Sequence, residues 1–94
     1  MTNQLSHSYL AQRADSIESA LNSLDMSSEA IVHTHGQNLM VQLYQLTIDD
    51  NQKLQDDVDR VKNVLRDANF YIFDAPGLFH FNTFLAIFPE NLEE

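Results

Sequence analysis

Four histidines, His7, His33, His35 and His80, are the side chains of this sequence best suited to holding a divalent transition-metal ion, and two of them stand together as His33-Thr34-His35. Whether that pair can chelate depends on the backbone. On a helix, residues two apart point about 200° away from each other, whereas on a strand or in a loop the spacing works. The segment reads as helical here, and Glu29, four residues before His33, adds one further ligand at most. No metal site is assigned, and no cofactor is expected.

Nucleophilic chemistry lacks its usual scaffolding. Serines accompany the histidines, but there is no G-x-S-x-G elbow, and Gly36 and Gly77 are too few to line an oxyanion or phosphate cradle. Carboxylates pair at Asp49 and Asp50 and cluster at Asp56, Asp57 and Asp59. On an exposed helix such spacings supply solubilising charge, whereas a general acid and base need burial to separate their pKa values. The absence of cysteine removes thiolate zinc sites, disulfides and thiol nucleophiles. The chain is not read as an enzyme.

Charge and composition narrow the partner. With 14 acidic and 5 basic residues the 94-residue chain carries a formal charge of −9, which opposes binding to phosphate backbones and to anionic lipid. A hydrophobic fraction of 44% is enough for a packed core, and the length fits one domain over residues 1–94. Residues 14–52 contain no Lys or Arg, so Asp15, Glu18, Asp25, Glu29, Asp49 and Asp50 form an uncompensated acidic surface. Aromatics are as unevenly placed: all the phenylalanines lie between Phe70 and Phe88. Asp74, Pro76, Gly77, His80 and Asn82 interrupt that stretch, which therefore does not read as a membrane span. A polar N-terminus without a basic, then apolar, leader makes the cytoplasm the expected compartment.

The elements that must position these groups are predicted from apolar spacing. Leu10, Ala14, Ile17, Leu21 and Leu24 keep one helical stripe, as do Val32, Gly36, Leu39, Leu43 and Leu46, and then Leu54, Val58, Val61, Leu65 and Ala68, continuing to Ile72. Helices are expected at about 8–24, 28–47 and 51–73. Ser27 or Ser28 is the N-cap expected for the second, and Asp49 with Gln52 a capping-box spacing for the third. Gly36 is read as a close approach between helices, with a break between His35 and Gln37 as the alternative. Within the aromatic segment 70–88 a short fourth helix is preferred to a β-hairpin pairing Phe70–Asp74 with Leu78–Asn82, because a lone hairpin is marginal. Residues 89–94 form an acidic tail. The predicted fold is all-α, a small antiparallel helical bundle.

The function expected of such a chain is a small acidic protein–protein interaction module. It would act as an adaptor, a chaperone-like protein or an inhibitory regulator, in a homodimer or hetero-complex. The six phenylalanines exceed what one core lid requires, so Phe79, Phe81, Phe84 and Phe88 are the expected partner contacts. The alternative is an acidic nucleic-acid mimic that inhibits a nucleic-acid-binding protein through the carboxylates of residues 15–50. Direct nucleic-acid binding and membrane insertion are not expected.

Overall fold

The first stripe forms the helix its spacing predicts. Leu10, Ala14, Ile17 and Leu21 are the buried residues of α1 (His7–Asn22), whose first turn is capped by the Ser6 side chain accepting the Tyr9 N–H at 3.1 Å. The structure, a computed structural model, describes residues 6–45, 51–74, 80 and 82–91. The second stripe does not form a helix. Val32 lies in β1 (Ser28–His35) and Leu39 and Leu43 in β2 (Asn38–Gln45), antiparallel strands paired from Ser28 with Gln45 to His35 with Asn38, while Leu46 lies outside the described residues.

Gly36 explains the reversal. It lies in the two-residue connection Gly36–Gln37 with φ of 59°, and Gln37 is not among the positive-φ residues. This is the type II′ pattern, whose twist suits a hairpin and whose first central position favours glycine. The expected close helix approach is absent: a Cβ at Gly36 would meet nothing within 4 Å. Ser27 and Ser28 cap no helix either; Ser28 opens β1.

Helix α2 (Asn51–Asp67) restores agreement, burying Leu54, Val58, Val61 and Leu65. It ends before the predicted boundary, in a Schellman motif. Asn69 adopts φ of 73°, its N–H donates to the Arg66 carbonyl at 2.9 Å, and the Phe70 N–H donates to the Leu65 carbonyl at 2.9 Å. Phe70 and Leu65 are both buried, which supplies the apolar contact of that motif. The chain leaves as a strand, so Ile72 belongs to β3 (Tyr71–Phe73) and not to the helix.

The C-terminal segment is a strand where a short helix was preferred. β4 (Thr83–Ile87) pairs antiparallel with β3, from Tyr71 with Ile87 to Phe73 with Leu85, and with β2, from Leu39 with Ala86 to Gln42 with Thr83. The sheet order is β1-β2-β4-β3. The partner of β3 is Thr83–Ile87, not the Leu78–Asn82 of the alternative hairpin, and β2 supplies the further strand that a lone hairpin lacks. A 3₁₀ turn, Pro89–Asn91, then ties back to the β1–β2 turn: the Asn91 side-chain amide donates to the Gln37 carbonyl at 2.8 Å and to Asn38 Oδ1 at 2.6 Å.

The architecture is therefore α+β, two helices on a four-stranded antiparallel sheet, and not a helical bundle. Both helices cover one sheet face. Their buried side chains form a single core with Ala30, Val32, Leu39, Val41, Leu43, Phe84 and Ala86, which alternate along the strands with residues of the opposite face. Arg13 closes one end of this core, its guanidinium 5.6 Å from the Phe70 ring centroid and 6.0 Å from that of Phe88. Lys62 closes another, 5.3 Å from the Phe84 ring and 2.9 Å from the Asp74 carboxylate. Among the described residues no helix is long and apolar enough to cross a membrane.

Candidate protein-docking face

An antiparallel sheet covered on one side normally alternates apolar residues inward with polar residues outward. This sheet breaks the rule on the side that no described helix or strand covers, although Thr83 on that side is buried. The register aligns His33, Met40, Leu85 and Phe73 in one row across all four strands. A second row runs Ile31, Gln42 and Thr83, and Tyr71 lies opposite Ile87. Tyr71 is 57% exposed, Phe73 46% and Tyr44 45%, while Ile31, Met40, Leu85 and Ile87 are partly exposed beside them.

Charge is sparse on this face. Among the described strand residues Glu29 is the acid, there is no Lys or Arg, and His33 and His35 stand exposed near the β1 edge. Acids collect elsewhere: Asp15 on α1, Asp56, Asp59 and Asp67 on α2, and Asp25 before β1 are all exposed. The result is a largely neutral, aromatic and aliphatic sheet face, while the helices carry acids and bases in nearly equal number, all five Lys and Arg of the chain among them.

The side chains expected to make partner contacts are placed differently. Phe84 and Phe88 are core residues, 0% and 2% exposed, and their burial leaves no surface to offer a partner. Phe79 and Phe81 lie outside the described residues. The reason is strand alternation: Phe84 and Ala86 point to the helices, which turns Leu85 and Ile87 outward. Tyr71 and Phe73 follow the same logic around Ile72. Sequence reasoning passed over all four, although the period of two was present in Tyr71-Ile72-Phe73.

The expected acidic surface does not come together as one face. Asp15 lies on the helical layer and Glu29 on the uncovered sheet face, while Asp49 and Asp50 lie outside the described residues. Glu18 is used internally, its Oε1 accepting the Val32 N–H at 2.9 Å. Asp57, not singled out as a site, is buried between α2 and β1, where its Oδ2 accepts the Ser28 hydroxyl at 2.7 Å and the Ser27 N–H at 3.1 Å. Among the described residues no three of His, Cys, Asp and Glu gather as metal ligands.

The β1 edge of the sheet is partly occupied. At β1 the Asn22 carboxamide accepts the Ala30 N–H at 2.8 Å and donates to the Ala30 carbonyl at 2.9 Å, and Glu18 takes the next outward N–H. These contacts occupy backbone groups that would otherwise template another strand. The arrangement disfavours strand addition at this part of β1 and leaves the face, rather than that edge, for recognition.

Comparison with protein-family models, with curated proteins and with solved structures returns no match.

Proposed function

We propose that this protein is a protein-binding module that docks a partner on the helix-free face of its sheet, acting as an adaptor or regulator by occupying an apolar surface of that partner. The observation that carries the reading is the row His33, Met40, Leu85 and Phe73 with Tyr71 and Ile87 beside it, apolar where a solvated sheet face should be polar. Exposed aromatics of this kind supply large contact area at low entropic cost. The net charge of −9 carried by the chain as a whole favours a partner with an apolar centre and a basic rim, and steers it at low salt.

Site-specific photo-cross-linking in the cells that make the protein tests this. A photoreactive residue at Leu85 or Phe73 is expected to give an adduct of one defined mass, lost when Tyr71 is also replaced by Ser. The same residue at Asp15 or Arg66 on the helical layer is expected to give none. Adducts formed only from the helical positions would refute the assignment.

A further inference from the structure

The geometry points to a second property, argued from the strand spacing rather than from the docking reading although His33 belongs to the docking row: His33 and His35 form a two-imidazole chelate for a divalent d-block ion, with Cu²⁺ the tightest. The helical reading excluded this pair because it set the two rings on different sides. The strand reverses that argument. Residues i and i+2 of a strand project from one face, about 6.6–6.8 Å apart along the chain, and Thr34 between them projects from the other.

Three observations support the chelate. Both imidazoles are exposed on the uncovered face, where no Lys or Arg among the described strand residues opposes a cation. The backbone beneath them is fixed by register: His33 is paired with Met40, and His35 with Asn38 at the closing pair of the hairpin. The Gly36 turn and the Asn91 and Phe88 hydrogen bonds to Asn38 hold that end of the hairpin in place. A rigid pair loses little freedom when the second imidazole closes on an ion already held by the first, so binding gains through effective concentration. Imidazole nitrogen suits Cu²⁺, Ni²⁺ and Zn²⁺, and the Irving–Williams order places Cu²⁺ first. Two protein ligands leave open coordination positions, so the bound ion exchanges readily and keeps sites for water or another donor.

Cu²⁺ titration of the full chain, followed by calorimetry and by the methyl resonances of its methionines, tests the site. One equivalent of Cu²⁺ is expected to bleach the Met40 methyl, opposite His33, before that of Met26. H33A and H35A are each expected to weaken binding at least about tenfold. The swap H33T/T34H keeps the number of histidines but sets residues 34 and 35 on opposite faces, and it is expected to weaken binding as much as H33A. Circular dichroism verifies that each variant stays folded. Binding that survives in H33A/H35A, or a swap variant as tight as the parent, would overturn the proposal.

Discussion

Asn22, the last residue of α1, pairs with Ala30 as a neighbouring strand would, accepting its N–H at 2.8 Å and donating to its carbonyl at 2.9 Å. One side chain thereby anchors the helix to the sheet and closes part of the exposed edge. Replacing Asn22 by Leu leaves both Ala30 groups unpaired. Net hydrogen-bond contributions put the cost at about 1–3 kcal/mol, with increased self-association through the reopened edge. Urea denaturation and sedimentation velocity read the two effects; an unchanged midpoint with no new oligomer would show that the pairing contributes nothing.

Asp57 does the corresponding work for α2. Its buried carboxylate accepts from Ser27 and Ser28 at the start of β1, joining segments far apart in sequence. Asp57→Ala is expected to lower stability by about 2–4 kcal/mol, since hydrogen bonds to charged groups contribute more than neutral ones and the Ser28 hydroxyl would be left buried without this acceptor. Asp57→Asn keeps an acceptor oxygen and should lose less. Equal losses in the two variants would contradict this account.

Two backbone positions carry left-handed conformations with different residues. At Asn69, φ of 73° ends α2, and Asn69→Gly should be neutral or mildly stabilising while Asn69→Val costs about 1–2 kcal/mol. At Gly36 there is room for a methyl group, so Gly36→Ala reports the conformational cost of positive φ alone, about 1–2 kcal/mol. Thermal melts of the three variants check the ranking.

Core and surface aromatics should separate cleanly. Phe84→Ala empties a fully buried position and is expected to cost about 3–5 kcal/mol. Phe73→Ala, at a 46% exposed position in the same sheet, should cost about 1 kcal/mol or less. Similar losses at the two sites would mean that the outer face is covered within the monomer.

The helices were legible because α1 and α2 each bury a single stripe against polar neighbours: Leu10, Ala14, Ile17 and Leu21 in one, Leu54, Val58, Val61 and Leu65 in the other. The hairpin was not legible, because its outward residues Ile31, Met40 and Tyr44 are themselves apolar. They blur the alternation of Ala30, Val32, Leu39, Val41 and Leu43, and a spurious 4-3-4-3 spacing then fits. Gly36-Gln37 was the contrary signal, a glycine at the first position of a two-residue turn. The same property that disguised the strands makes the outer face a candidate site. For β4, pairing with β2 decided the outcome, and a long-range contact of that kind is not encoded in local propensity.

The docking face is tested most directly by single-cysteine footprinting, which the cysteine-free sequence permits without prior removal of thiols. Cysteines placed one at a time at Phe73, Leu85 and Met40, at Asp15 and Arg66, and at the buried Val41 are alkylated in dilute purified protein and again in extract from the cells that make it. The account predicts rapid labelling of the first five positions in dilute protein and slow labelling at Val41. In extract, protection should appear at Phe73, Leu85 and Met40 alone. Protection confined to Asp15 and Arg66, or absent from every position, would contradict a partner-binding role for the helix-free face.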